Sequence, residues 1–442
     1  MAKSRTTTNE SSRTPAPPLS VVTLSPRGVA RVKSGHPWVY RSDITVADAV
    51  PAGALVRVAD ARGKFLGTAL YSSSSQIAIR MIAREEVSDL PALVAERIRA
   101  AIAYRKQVVS DTDAYRLVFS EADFLPGLII DRYNDVISLQ ILTQAMDAEP
   151  VRGAVIATLV EELEPAGIVE RVDPRIRELE QLPARDSALL WGKKSSTIIS
   201  MNAAAVVPQV RARSVRANLG GKALEETPNG LPPSSVRFYY DALEGQKTGA
   251  FLDQRENYAT AARYARGQAL DVFCYQGGFA LHLAPHCASV TGVDSSRPAL
   301  EMADKNAALN GQLLNGKEIE WIEANAFDLL RDYAAAGRRY DMVVLDPPAF
   351  AKTKRDLDKA LSGYKELNLR ALKMLAPGGI LVTCSCSFHV SATDFAEVIA
   401  SAASDAHKSL RLLESRAQAK DHPILLNVPE TGYLKCIILD VT

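Results

Sequence analysis

From residue 268 onward, short apolar runs of β character alternate with stretches of helical period. The pattern predicts strands over 268–273, 290–293, 319–323, 340–345, 379–384, 409–415 and 433–441. Helices are predicted between them over 278–284, 297–309, 328–336, 359–375 and 394–406. This alternation leaves few solutions. A helix that carries the chain back across a sheet face makes the next strand parallel to the last. The expected fold is an α/β, doubly wound, mostly parallel sheet, with its ligand crevice outside the carboxyl ends of the strands. The chemistry is therefore sought in the residues that follow each strand.

The chain is 442 residues long, more than one hydrophobic core usually serves, so two or three domains are expected. Residues 1–20 are polar and Ser/Thr/Pro-rich and read as a disordered tail, with Lys3, Arg5 and Arg13 as a weak RNA-contacting arm. Residues 21–86 carry short strands (21–24, 55–60, 67–71, 76–83) punctuated by turns such as Pro26-Arg27-Gly28 and Gly35-His36-Pro37, which suggests a small β-barrel. Trp38 and Tyr40, near Arg27, Arg31, Lys33 and Arg41, form either a base-stacking surface or the barrel's aromatic core. Residues 87–217 read as a small α/β unit. Its predicted elements are helices over 90–108 and 151–163, and strands over 117–131, 136–142, 167–172, 188–191 and 196–200. A hairpin turn is expected at 132–135. Residues 218–442 hold the doubly wound sheet.

Composition excludes several classes. Lys and Arg number 52 against 51 Asp and Glu, so the chain is no uniformly basic nucleic-acid coater, although a local basic face is compatible. No apolar run approaches the ~20 residues of a membrane span. Five cysteines, an odd number, argue against a disulfide scaffold and fit a cytoplasmic protein. His282 and His286 stand four apart, but with no third ligand in view they read as a helix-surface pair and no metal is expected.

The strand ends carry the chemistry. The first reads Asp271-Val272-Phe273-Cys274-Tyr275-Gln276-Gly277-Gly278-Phe279. It lacks the dinucleotide fingerprint, but its glycines let backbone approach a ligand. Asp294, with Ser295 after it, ends the second strand and suits a ribose diol. Asn325-Ala326-Phe327 ends the third, offering either one hydrogen bond and one face to an adenine, or a helix cap. The fourth ends in Asp346-Pro347-Pro348-Ala349-Phe350. There the prolines fix an extended backbone, Asp346 can accept from a cytosine amine, and Phe350 can stack on a flipped base. The fifth ends in Cys384-Ser385-Cys386-Ser387. Cys384 reads as a buried small hydrophobe. Cys386 reads as a nucleophile that adds to C6 of a pyrimidine and so activates C5. Ahead of the sheet, 245–257 mixes Gly, charge and Phe251, and could cap a cofactor through Phe251 and Gln254 or start a helix with Asp253 as cap. Lys352, Lys354 and Arg355 are candidates for RNA phosphates, or a solvated charge run.

Taken together, LDVFCYQGGFALHLA, VTGVDSS, VVLDPPAFAK, VTCSCS, GQKTGAFLDQREN, LVFSEADFLPGLIIDRYNDV and GHPWVY resemble the bacterial large-subunit rRNA cytosine-5 methyltransferases that carry an N-terminal PUA domain. The resemblance covers nearly the whole chain except the tail. It implies a PUA RNA-binding barrel, a central α/β domain and a class I methyltransferase domain with a Rossmann-like seven-stranded sheet. It implies S-adenosylmethionine as methyl donor and a cytosine of 23S rRNA, in RNA or in a large-subunit assembly intermediate, as substrate. It maps the family's nucleophile onto Cys386. Two departures stand out. Asn325 occupies a place where Asp commonly contacts adenine, and would bind the amine through its oxygen. Cys384 adds a second thiol beside the nucleophile. The competing readings are a methyltransferase acting on a purine amine, and a non-catalytic RNA-binding assembly factor. Whether the protein is a homodimer is left open by the sequence.

Overall fold

The computed structural model describes residues 18–47, 49–201, 235–243, 250–351 and 353–442. Lys3, Arg5, Arg13, residues 244–249, the expected boundary at 217/218 and Lys352 lie outside these residues.

The N-terminal unit is a six-stranded sheet in the order Trp38–Tyr40, Ile77–Ala83, Phe65–Tyr71, Leu55–Ala59, Val21–Leu24, Ile44–Ala47. Alternate residues (Val22, Leu24, Val56, Val58, Ile79) point inward to a small core. Pro26-Arg27-Gly28, expected as a turn, is instead the start of a helix, Pro26–Lys33. Ser25 caps it by accepting from the Gly28 N–H, proline sits where a helix tolerates it, and Arg31 and Lys33 fall in its last turn.

The central unit is a five-stranded sheet in the order Ala188–Gly192, Gly167–Glu170, Val136–Ile141, Leu128–Tyr133, Ala114–Phe119. Helices Leu90–Val108 and Glu149–Leu163 share its core through Val94, Ile98, Ile102, Val155 and Leu159. The single run expected over 117–131 is two antiparallel strands. A short helical turn, Ser120–Asp123, reverses the chain, with Phe124 and Gly127 both left-handed. At Gly127 a Cβ would lie 2.3 Å from Thr143, so the tight return needs glycine. The hairpin is tighter than expected, since only Asn134 and Asp135 separate the paired strands and Asn134 has φ +53°.

A two-stranded ribbon, Ser196–Met201 against Val236–Asp241, leads into the third unit. Its Ile199, Met201, Phe238 and Tyr240 enter the same core as Ala269 and Phe279, and Tyr240 stacks on Tyr133 at 3.5 Å. The central and C-terminal units thus share apolar packing.

The C-terminal sheet has strands β1 (Gln268–Val272), β2 (Ser289–Asp294), β3 (Ile319–Glu323), β4 (Tyr340–Leu345), β5 (Leu375–Ser385), β6 (Leu410–Arg416) and β7 (Lys435–Val441). Their order is β3-β2-β1-β4-β5-β7-β6. Strands β1 to β5 are parallel, and β7 runs antiparallel to both neighbours. This matches the expected alternation strand for strand. Both faces are covered, which is why β1 and β4 are nearly continuous apolar runs. His282 is a correction. It is wholly buried, with Nδ1 2.7 Å from the Gly278 carbonyl and its ring beside Tyr258, and burial pulls its pKa down to about 4. It is therefore a neutral core residue, not half of a surface pair. Among the described residues, no cluster suits a metal ion, and no helix is long and apolar enough to cross a membrane.

A buried polar network ties the central unit to the C-terminal one. Asp421 accepts from Arg255 Nη2 at 3.2 Å and from the Arg116 N–H at 2.8 Å, and its carbonyl accepts from Arg105 Nη2 at 2.9 Å. Arg255 also pairs with Asp111, and Arg105 with Asp123. Burial pushes the Asp421 carboxyl up, but His422, Arg255 and the Arg116 N–H outweigh it and hold the group below the usual carboxylate range. Because the folded pKa is the lower one, this stabilisation is complete above the unfolded value of about 3.9 and is lost as pH falls through the folded value. Asp421→Asn should cost about 3 kcal/mol at pH 7, because Arg255 loses a buried partner. The difference from the parent should narrow in acid. Urea unfolding at pH 7 and pH 3 checks both expectations.

Candidate active site at the carboxyl ends of the sheet

The chain leaves β1 for β2 on one side of the sheet and later crosses to β4 on the other. The switch point, where such sheets bind ligands, therefore lies between β1 and β4. Parallel order sets five predicted motifs in one row: Asn325–Phe327 after β3, Asp294 and Ser295 after β2, 273–277 after β1, Asp346–Phe350 after β4, and Cys386 after β5.

The loop after β1 is wound left-handed at Phe273 (φ +67°), Tyr275 (φ +49°) and Gly277 (φ +86°). That conformation costs a non-glycine residue about 1 kcal/mol or more, so neighbours must hold it. Asp294 Oδ2 accepts from the Tyr275 N–H at 3.0 Å. The Val293 carbonyl accepts from the N–H groups of Phe273 and Cys274, and Asp271 Oδ2 accepts from the Ala280 N–H at 2.9 Å. Asp271 and Asp294 are thus backbone staples. Asp271 is fully buried, its other oxygen has no partner among the described residues, and burial pushes it up to about 8. Asp294 is only partly buried, and Ser295 is exposed.

The side chains of Cys274 and Phe279 are buried, and Phe279 meets Tyr258 edge-on at 4.7 Å. Both were expected at the cofactor, but their side chains serve the core. Asn325 is a helix cap, its Oδ1 accepting from the N–H groups of Phe327 (2.9 Å) and Asp328 (3.3 Å). The oxygen assigned from sequence to an adenine amine is therefore engaged, and the amide nitrogen is the end left to donate. Ala326 is buried under the same cap. Phe251 is exposed and meets Tyr275 edge-on at 5.2 Å. Phe350 packs on Tyr364 (4.8 Å) and approaches Phe327 (6.1 Å), which brings it against a residue expected at the adenine.

On the β4–β5 side, Gln254 is buried and donates from Nε2 to Asp346 Oδ1 at 2.9 Å, so it faces the acid of the Asp-Pro-Pro motif. Burial pushes Asp346 up to about 7. The nearby Asp253 charge adds to the rise and Gln254 opposes it. Asp253 caps no helix; its Oδ2 accepts from the Tyr433 hydroxyl at 2.6 Å. Pro347 is buried and Pro348 exposed. Cys384 is fully buried opposite Cys436, and burial pushes its thiol far up. Cys386 is partly exposed, with Sγ 3.7 Å from the Pro347 carbonyl. The cysteine at the strand end and the Asp-Pro-Pro loop therefore meet.

Sequence reasoning missed the groups that hold this meeting in place. Ser387 Oγ accepts from the N–H groups of Phe350 and Ala351 and bonds the Tyr364 hydroxyl at 3.0 Å. Lys435 Nζ donates to the carbonyls of Ser387 (2.6 Å) and Tyr433 (2.8 Å). A lysine opening the apolar run Lys435-Cys436-Ile437-Ile438 was the visible signal.

The N-terminal candidates make contacts within the protein. Trp38 donates from its indole to Glu121 at 2.9 Å. His36 Nε2 lies 3.3 Å from Glu430, and Asn427 donates to the Gly35 carbonyl. The Gly35–Trp38 turn therefore docks its unit on the other two, and the indole N–H of Trp38 is spent on that contact. Arg41 donates to the carbonyls of Ser72 and Ser75, both at 2.9 Å, and braces a loop. Lys354 and Arg355 are exposed.

Comparison with known proteins matches residues 22–84 to a PUA-like domain and residues 140–435 to an S-adenosylmethionine-dependent methyltransferase model. The chain is 37% identical over 411 residues to ribosomal RNA large subunit methyltransferase I of Tolumonas auensis, covering 91% of this chain and 95% of that one. It is 36% identical over 428 residues to the protein of that name from Shewanella denitrificans, covering 95% and 99%. A SAM-dependent methyltransferase structure from Streptococcus mutans superposes with TM-score 0.73 at 18% identity, covering 95% and 99%, and so shares the fold. Another methyltransferase structure, complexed with SAH, gives TM-score 0.74 at 17% identity over 95% and 99%.

Ser387→Ala should strand the N–H groups of Phe350 and Ala351, at the end of the Asp-Pro-Pro loop. Stability should fall by about 1–3 kcal/mol, with faster proteolysis confined to that loop. Denaturant unfolding and limited proteolysis read by mass spectrometry check this.

Proposed function

The chain belongs to the S-adenosylmethionine-dependent methyltransferase family that includes the ribosomal RNA large subunit methyltransferase I proteins, and on that premise we propose that it methylates C5 of a cytosine in 23S rRNA through a covalent adduct at Cys386. The observation that carries this reading is the approach of Cys386 Sγ to the Pro347 carbonyl. It joins the partly exposed thiol to a loop that offers a carboxyl group.

The chemistry follows from the base. C5 of cytosine is a weak nucleophile. Addition of the Cys386 thiolate to C6 moves an electron pair onto C5 and makes it enamine-like. S-adenosylmethionine, when bound, supplies the electrophilic methyl group. Loss of the C5 proton then returns the pair, and the thiolate leaves C6. Asp346, pushed up to about 7, exists in both forms near neutrality. Its carboxylate can accept from the exocyclic amine, which orients the base, and its carboxyl can donate to the ring nitrogen, which also draws charge from C6. Gln254 keeps that carboxyl aimed.

The residues after β1, β2 and β3 suit the cofactor. Asp294 spends one lone pair of each oxygen on an N–H and keeps others for a diol. Asp271, near the end of β1, keeps one oxygen with no partner among the described residues. Phe251, Tyr275, Ser295, Asn325 and Phe327 complete the cradle, with Phe273, Gly277 and Ala326 contributing backbone. We assign RNA binding to the PUA-like unit and to Lys352, Lys354 and Arg355, with Pro348 and Phe350 bordering the base. The domain division is taken as 21–86, 87–217 and 218–442, in a cytoplasmic protein.

With a 23S rRNA fragment containing 5-fluorocytosine and S-adenosylmethionine, the enzyme should form a covalent adduct that survives denaturing electrophoresis and is absent in Cys386→Ala. Full methylation activity in Cys386→Ser would instead favour attack by a purine amine, and absence of S-adenosylmethionine binding in calorimetry would favour a non-catalytic assembly factor.

A further inference from the structure

We propose that Lys435 is the positioning residue that holds Cys386 as a thiolate, an inference that rests on the reading of Cys386 as the nucleophile. The β5–β7 register pairs Ser385 with Lys435, so the lysine emerges at the strand end beside residue 386. Two of its three N–H donors go to the carbonyls of Ser387 and Tyr433, on either side of the sulfur's surroundings. Those bonds fix the ammonium in place instead of letting it swing into solvent.

Several other described groups near the sulfur do not favour a negative charge there. The Pro347 carbonyl turns its oxygen toward Sγ. Asp346 precedes that carbonyl on the β4 loop, and Asp253 sits behind Tyr433. The phenols of Tyr364 from helix Leu357–Met374 and of Tyr433 from the approach to β7 are both pushed up by burial and stay neutral. Arg116 lies behind Tyr433 but is spent on Asp131 at 2.8 Å. Among the described residues, Lys435 is a group whose charge couples to the sulfur favourably. Burial pushes the lysine down and the Cys386 charge opposes the fall, leaving it at about 8, so it is largely an ammonium at pH 7. Coulomb attraction acts on both partners, so the same interaction favours the thiolate. The thiol proton leaves to water, and the lysine keeps all of its own.

A neighbouring cation typically lowers an acid's pKa by about 1–3 units, which sets the expected size of the effect. The test follows alkylation of Cys386 by iodoacetamide against pH in the full-length protein, without RNA, read by mass spectrometry of its peptide. The other cysteines are buried. The parent should show a midpoint below the ordinary thiol value of about 8.5. Lys435→Met should raise that midpoint by at least about one unit and slow alkylation at pH 7 by about tenfold, whereas Lys435→Arg should restore the low midpoint. A parent midpoint at or above the ordinary value overturns the proposal without any variant, and so does an unshifted midpoint in a folded Lys435→Met protein. The 5-fluorocytosine adduct separates the two readings. An adduct with no midpoint shift removes the lysine's role alone, whereas a shift without any adduct upholds the pairing and removes the nucleophile assignment.

Discussion

The buried pairing of Arg255 with Asp421 is the interaction on which the rest of the structure turns. Two charges taken out of water cost several kcal/mol each unless geometry and further hydrogen bonds offset the loss. Here the offset comes from two units at once. Asp421 is met by Arg255 from its own unit and by Arg116 and Arg105 from the central one. Arg255 is the last of three consecutive residues that point three ways. Asp253 holds the Tyr433 hydroxyl, Gln254 holds Asp346, and Arg255 enters the dock. A shift of the central unit would therefore reach the acid of the Asp-Pro-Pro loop through three residues of chain.

Electrostatics at the crevice follow from how deeply each group is set. Asp271, fully buried, is pushed to about 8, and Asp346 to about 7. Asp294 is partly exposed and takes two backbone N–H groups. Asp271, with a single N–H donor, and Asp346, with an amide donor beside a second acid, are thus both raised by burial. On the reading proposed here, the crevice presents an acceptor to a diol and a titrating acid to a base.

The sheet was legible in the sequence because its strands, covered on both faces, are nearly continuous apolar runs that end abruptly in polar or proline residues. The same reasoning placed Cys386, Asp346 and Asp294 at strand ends. It failed where the deciding partner is far away in the chain or local chemistry mimics something else. Pro26-Arg27-Gly28 has turn composition but a serine cap ahead of it, so it begins a helix. Residues 117–131 read as one strand because Phe124 and Leu125 interrupt the turn with apolar side chains, and only the left-handed residues reveal the reversal. Asn325 spends its oxygen on the helix it caps. His282 looked solvent-facing by spacing, but its helix is buried on all sides. Trp38 had no visible reason to leave its barrel, since Glu121 is 83 residues away. Lys435 gained meaning only when strand pairing set it beside the fifth strand's end.

That distance between sequence and partner also explains how the N-terminal unit bears on the site. Gly35 and His36 contact Asn427 and Glu430, and the chain from there runs directly to Tyr433 and Lys435. Along this segment, Thr431 Oγ1 accepts from the Leu425 N–H, and the Thr431 carbonyl accepts from Gln418. It is stiffened from within and has little slack between the docked turn and the lysine. On the reading proposed here, the unit that grips RNA and the residue that sets the charge of the nucleophile are braced by one short stretch of chain. Orientation of the substrate and readiness of the thiol then become two consequences of the same packing. The near-zero net charge of the whole chain is no obstacle to this arrangement, because the charges that matter are placed singly, each against a particular partner.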